Sequence, residues 1–314
     1  MRTMALQKRS ALTVACPFCQ GTLDRYPSDD LRCSGCQRQF PRRAEVDVFL
    51  TDDEWNACVQ HLEHERDALV SYRTARRRSF MNQFYYDNWV KRILREVPPN
   101  RRARLLELMC GEAEICRRLP SSFGSALALD FNVRMVEAAA ADLRAAGEQR
   151  VQVVCGTAAR LPVASSSISA VVIQGGLHHA RPLLKQILAE IHRVLEPGGV
   201  LVGSEPANDH PLTRAIRHWQ YRHSRLQGHD PDEDGFSRAE LAAALDNAGL
   251  RLERYRQFGF VAYPLLGNTD IVPWLSRLGS RWCGQALLGM DWLLEHIPGI
   301  RRLAWTSIFR AVKA

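Results

Sequence analysis

The sequence contains no run of 18 or more uncharged apolar residues, so no bilayer-spanning helix is expected from it. Met1 to Ala15 carries basic side chains but neither a sustained apolar core nor a cleavage signature, so no export signal is expected. The nine cysteines then point to thiols or metal ligands, not to a disulfide framework, and the expected location is cytoplasmic. Internal repeats and low-complexity tracts are absent too, which leaves no basis for a repeat array. Disorder along the whole chain is excluded by composition. Of 314 residues, 46% are hydrophobic and 24% charged, an ordinary globular balance.

The net charge of +8 is unevenly spread. Residues 1–104 hold 19 Lys and Arg against 13 Asp and Glu, an excess of six; the other 210 residues hold 23 against 21. The N-terminal surplus suits nucleic acid, an anionic membrane surface or an acidic ligand, and equally suits a solvated arginine face.

Cys16-Pro-Phe-Cys19 and Cys33-Ser-Gly-Cys36 are two CxxC pairs with 13 residues between them. Each turn places two thiolates on one metal, and two such turns complete a tetrahedral four-sulfur site for Zn2+. Such a site is closed to water and substrate, so its role is structural: it holds together a segment too small to fold on its own apolar core. Cys58, Cys110, Cys116, Cys155 and Cys283 lack ligand spacing and read as small core residues. The run from Cys16 to Leu50 resembles the zinc-ribbon proteins that activate certain methyltransferases, and the N-terminal zinc segment of ribosomal-RNA guanine methyltransferases.

Residues 51–99 read as helices, with Asp52 and Asp53 as caps of the first and Pro98-Pro99 as the stop. After Asn100 strands and helices alternate. Strands are expected at Leu105–Leu108, Ala126–Leu129, Val151–Cys155, Ile168–Ile173 and Val200–Gly203. Helices are expected at 112–119, 133–146 and 182–195. This alternation implies a mostly parallel sheet with helices on both faces. Residues 211–226 read as a helix with a basic face, 237–248 as a capped helix, and 250–258 and 305–312 as the last strands. The apolar stretch 260–300, rich in Trp and Pro, sits where a substrate lid would be built. The expected domains are a ribbon over 1–50, a helical cofactor-covering linker over 51–99, and a nucleotide-binding domain over 100–314.

Four blocks in residues 100–206 carry the chemistry. Glu107, Leu108, Met109, Cys110, Gly111, Glu112 and Ala113 follow the first strand as an acid and a tight turn. Asp130 and Phe131 end the second strand; an acid there can accept from both hydroxyls of a ribose. Cys155, Gly156, Thr157 and Ala158 end the third strand. Gln174, Gly175, Gly176, Leu177, His178 and His179 end the fourth, and Arg193-Val-Leu-Glu-Pro-Gly-Gly199 precedes the fifth. In order and spacing these blocks resemble the class I S-adenosylmethionine-dependent methyltransferases, in the UbiE-like branch. The resemblance implies a seven-stranded Rossmann-like sheet and S-adenosyl-L-methionine as cofactor. Glu107, Met109, Cys110 and Gly111 would lie at its methionine end, Asp130 and Phe131 at the ribose and adenine, and Thr157, Ala158 and Gln174 along the rest. Tyr86, in the aromatic segment 84–89, would cover it. Two of three customary glycines are replaced, by Met109 and Ala113, and Thr157 stands in place of an acid.

His178, His179 and Glu205 lie past strand ends and are the candidate general bases. The apolar lid favours a small, lipid-like or natural-product acceptor. RNA is the alternative acceptor, through the ribbon, Arg73 to Arg78, Arg101-Arg102 and the helix 214–225. A non-catalytic scaffold that keeps the fold is the second alternative.

Overall fold

The computed structural model describes residues 14–64, 79–100, 102–223, 234–267 and 280–314. Its centre is a nine-stranded sheet. The expected parallel strands are β6 (Arg104–Leu108), β7 (Ser125–Asp130), β8 (Val151–Cys155), β9 (Ile168–Gln174) and β10 (Leu195–Pro206). Then come β11 (Leu250–Phe258) and β12 (Thr306–Lys313), with β12 antiparallel to both its neighbours. The order is β11-β12-β10-β9-β6-β7-β8, followed by β5 (Val46–Val48) and β4 (Arg42–Arg43). The apolar runs Leu105-Leu106, Ala126–Leu129 and Val171–Ile173 are buried because helices cover both faces.

The seven expected strands are therefore joined by two from the N-terminal segment. Short strands β1 (Leu23–Arg25), β2 (Leu31–Cys33) and β3 (Gln39–Phe40) form a separate small sheet around the cysteines. The chain then turns through β4 (Arg42–Arg43) into β5 (Val46–Val48), which pairs in parallel with β8, Asp47 opposite Val154 and Val48 opposite Cys155. Phe40 and Phe49, with ring centroids 5.0 Å apart, carry the small sheet into the main core beside Leu127, Leu129 and Val154. Ala15 N–H donates to the Pro162 carbonyl at 3.1 Å, and Arg193 donates to Gln20 at 2.9 Å, so the segment is also tied to the loop after β8 and to the next helix.

Seven α-helices are described: α1 (Asp52–His64), α2 (Phe80–Arg95), α3 (Val133–Ala145), α4 (Leu184–Val194), α5 (Pro211–His223), α6 (Arg238–Asn247) and α7 (Arg281–Glu295). The cap of α1 is Thr51, not Asp52 or Asp53. Glu54 N–H donates to Thr51 Oγ1 at 3.2 Å and Thr51 N–H to Glu54 Oε2 at 2.8 Å, a reciprocal capping box. The helix expected at 112–119 is a run of turns and one short 3₁₀ segment, Cys116–Arg118. Helix α2 is fastened to the middle of the sheet: Trp89 Nε1 donates to Ser204 Oγ at 2.8 Å, and Ser204 donates onward to the Ser307 carbonyl. The stretch 260–300 supplies a tight turn at Tyr263–Gly267 and helix α7. Asn82 Nδ2 binds that turn to α2 through the Leu266 and Gly267 carbonyls. No described helix is long and apolar enough to cross a membrane.

Phe49 is fully buried where the small sheet meets β8. Phe49→Ala is expected to cost about 3–5 kcal/mol of unfolding free energy, measured by denaturant titration. A cost below about 1 kcal/mol would show that the N-terminal segment packs only loosely on the sheet.

Candidate active site

The sheet changes direction between β6 and β9. From β6 the chain proceeds outward to β7 and β8 on one side, and to β9 and β10 on the other. In parallel sheets the crevice outside the carboxyl ends at such a point is where ligands bind. Glu107 and Asp130 lie at the ends of β6 and β7, and Gln174 and Glu205 at those of β9 and β10.

Glu107 does not face that crevice. It is 2% exposed, and its two oxygens accept the Ile115 and Cys116 amides at 3.0 and 2.7 Å. Burial pushes its pKa up to about 7, against the pull of those amides. The two amide bonds take one acceptor position on each oxygen. Glu107 thus fixes the turn after β6, and by taking those two amides it denies them to a helix.

Asp130 binds across to that turn. Its Oδ2 accepts Gly111 N–H at 2.8 Å and its Oδ1 accepts Asn132 N–H at 2.8 Å. Burial raises its pKa, opposed by the amides of Asn132, Gly111 and Phe131 and by the nearby His179 imidazole. Met109, Gly111 and Ala113 all have positive φ, at 54°, 52° and 57°. The backbone thus keeps the left-handed turn at three alternate residues, although only one is glycine. Side chains there cost about 1–2 kcal/mol each. Met109 leans from the tip of β6 toward the loop after β9; a Cβ on Gly176 would lie 2.6 Å from its sulfur. Its thioether occupies part of the crevice.

On the far side, Gln174 has both side-chain amide atoms shielded from solvent with no hydrogen-bond partner. Buried amides are almost always paired, so this one is suited to a ligand's polar groups. Thr157 Oγ1 accepts Ala159 N–H at 3.2 Å and retains a lone pair and a proton. Ala158 is buried beside it. The Phe131 carbonyl accepts the thiols of Cys58 on α1 and Cys155 on β8, at 3.2 and 3.5 Å. Helix α1 therefore covers the Phe131 side. This helix lies within the 51–99 segment expected as a cofactor-covering linker. Cys110 is buried behind the turn, where burial raises its thiol pKa strongly. Tyr86 is buried within the aromatic cluster of Tyr85 and Trp89 on α2.

Glu205 is buried and fully engaged. Oε1 accepts the Gly176 and Leu177 amides at 3.0 and 2.8 Å; Oε2 accepts His178 N–H at 3.3 Å and meets His178 Nδ1 at 2.7 Å. It has no lone pair left for a substrate, so it is a positioning residue. By holding Nδ1 it orients His178 and leaves Nε2 as the ring's remaining nitrogen. His179 is exposed, its ring centroid 3.9 Å from that of His178.

The sulfurs of Cys16, Cys19, Cys33 and Cys36 all lie within 4.8 Å of one another, with Cys16 to Cys36 at 3.6 Å and Cys19 to Cys33 at 3.4 Å. A tetrahedral zinc with bonds of about 2.3 Å needs sulfurs about 3.8 Å apart, so the donor set fits. Gly21 is required there: a Cβ on it would lie 2.9 Å from Cys33 Sγ. The sulfurs are the only group of metal-ligand spacing among the described residues.

The elements weighed for RNA are largely used internally. Arg217 is buried and donates to the Ala207 and Trp305 carbonyls. Arg214 pairs with Asp234, Arg25 with Asp47, and Arg38 and Arg160 lie over the Phe18 ring. Arg73 to Arg78 and Arg101 lie outside the described residues. An open groove of about 430 Å³ between β4-β5 and α3 is lined by Arg25, Arg42, Asp47 and Arg144, and its arginines are paired to carboxylates.

Residues 105–199 match the model of a methyltransferase domain family. The chain folds as a class I methyltransferase. It is 30% identical over 141 residues to a demethylmenaquinone methyltransferase of Geobacillus stearothermophilus, covering 44% of this chain and 59% of that protein. It is 30% identical over 169 residues to a carboxy-S-adenosyl-L-methionine synthase of Hydrogenovibrio crunogenus, covering 51% and 66%. The chain thus spans about three fifths to two thirds of the length of these relatives. A phosphoethanolamine N-methyltransferase of Haemonchus contortus, solved with S-adenosylhomocysteine, superposes with a TM-score of 0.51 at 18% identity, covering 72% of this chain and 52% of that one.

The turn after β6 predicts a pH signature. Glu107 is ordinarily half-protonated at 4.5 and in the fold at about 7. Between these values only the folded chain holds the proton, so stability falls as pH rises through this window and the loss is complete above it. Relative to Glu107→Gln, which cannot ionise, the native chain is expected to lose up to about 1.4 kcal/mol per pH unit across the window, read from denaturant midpoints. Parallel curves for the two proteins would contradict this.

Proposed function

We propose that the chain binds S-adenosyl-L-methionine in the crevice at the carboxyl ends of β6 to β9 and transfers its methyl group to a small apolar acceptor. The observation that carries the reading is the unpartnered, shielded amide of Gln174 at the switch point. Gln174, the Gly111 turn and Asp130 would hold the methionine and ribose; Thr157, Ala158 and Phe131 the adenine; Tyr86 the cover. The bound donor supplies an activated methyl, so the protein's contribution is alignment of the acceptor. His178, oriented by Glu205, takes the acceptor's proton when that acceptor is a hydroxyl or protonated amine. The acceptor class is argued from the aromatic cluster that α2 and the 258–267 segment pack together: Tyr85, Trp89, Phe258 and Tyr263. Two of the relatives above are named for demethylmenaquinone and for carboxy-S-adenosyl-L-methionine, which are also small molecules. The four cysteines would hold a structural zinc, which supplies a cross-link and no open coordination position.

One observation favours a second reading. Met109 narrows the crevice, as a binding protein that no longer transfers methyl groups would tolerate.

Calorimetric titration with S-adenosylmethionine separates the two. Gln174→Ala is expected to weaken binding on the order of tenfold. Met109→Gly, which removes both the left-handed side chain and the thioether from the crevice, should tighten it roughly fivefold. Labelled methyl transfer into an extract should then appear in the small-molecule fraction. Absence of binding by both native chain and Met109→Gly excludes the enzyme; label in RNA excludes the acceptor class.

A further inference from the structure

Helix α7 presents an unusual outer face. Trp282 is 83% exposed, Leu293 59% and Trp292 55%, with Met290 and Ile297 also exposed. The helix has two carboxylates and both turn inward. Asp291 is buried, its Oδ1 accepting the amides of Phe260, Val261 and Ala262. Glu295 pairs with Arg92 of α2 at 3.0 Å. Among the described residues the outer face carries no anion. Arg281 stands exposed at its start and Arg301 and Arg302 after its end, and no ion pair of these three is found among the described residues.

The inner side of α7 rests on the cofactor-covering helix, where Gly284 lies so close to Phe84 that a Cβ on it would meet the ring at 2.6 Å. Thr213, at the start of α5, donates to the Leu303 carbonyl at 3.1 Å, and α5 adds exposed Leu212 and Ile216.

We infer that α7 and the arginines at its ends dock this chain on the surface of an anionic lipid bilayer. An apolar face bearing tryptophans, flanked only by cations, has the makeup of a helix that lies in the headgroup region. With 15 residues the helix is about 22 Å long and lies along the surface. The inward carboxylates matter as much as the outward arginines, because an exposed Asp or Glu would be repelled by the negative leaflet. Charge complementarity selects the bilayer over a second copy of the chain, whose identical face would oppose arginine to arginine. The inference rests on α7 and holds whatever the crevice transfers.

The test is co-sedimentation of the full chain with vesicles of phosphatidylcholine containing about one third phosphatidylglycerol, beside vesicles of phosphatidylcholine alone. The native chain should sediment with the anionic vesicles and be released by salt, and tryptophan emission should shift to the blue. The double variant Arg301→Glu/Arg302→Glu should bind at least tenfold more weakly, as should Trp282→Gln/Leu293→Gln. These side chains are exposed, so the variants should keep the native circular dichroism and melting temperature. No binding to anionic vesicles overturns the inference, as does equal binding to both vesicle types that is indifferent to the arginines. A dimer in solution that the same variants dissociate assigns the face to a second copy and also overturns it.

Discussion

Three carboxylates, two buried and one half-buried, hold the site together. Glu107, Asp130 and Glu205 each stand at the carboxyl end of a strand, and each accepts backbone amides of a loop: Ile115 and Cys116, Gly111 and Asn132, and Gly176 to His178. Removing a carboxylate from water is costly, and charge-assisted bonds to amides are the compensation. The result is three loops of fixed shape around one crevice. The groups left unsatisfied or half-satisfied, Gln174, Thr157 and the far nitrogen of His178, are those suited to a ligand.

The N-terminal segment takes part in the same architecture. Its four cysteines would make a closed knot, but its last strand, β5, joins the main sheet between β8 and β4, and Phe49 beside Gly156 backs the loop that carries Thr157. The segment acts in cis: its folding is coupled to the order of the loop after β8. Helix α1 continues the same path, from the Thr51 capping box to the Cys58 contact on the Phe131 carbonyl.

Much of the fold was legible because parallel strands leave continuous apolar runs. Leu105–Leu108, Ala126–Leu129, Val151–Cys155 and Ile168–Ile173 all lie within observed strands, and Ser237 caps α6 as its hydroxyl suggests. The residues at the strand ends were legible by type and spacing, but the directions of their side chains were not. Glu107 reads as a ligand contact, yet a buried acid finds nearer amides within its own turn. The same competition, with left-handed Ala113, removes the helix expected at 112–119. Val46–Leu50 is too short to announce itself as a strand of another sheet, and its pairing with β8 is a long-range fact. Thr51-Asp-Asp-Glu54 did carry its capping signal, one residue ahead of the aspartates taken for caps.

The central claim is that the crevice between β6 and β9 holds a sulfonium nucleoside. Photocrosslinking of S-adenosylmethionine labelled in its methyl group, followed by peptide mapping, tests it most directly. The account predicts label on the segments bearing Phe131 and Gln174, displaced by excess S-adenosylhomocysteine. Label confined to segments remote from these strand ends, or undiminished by the competitor, would contradict it.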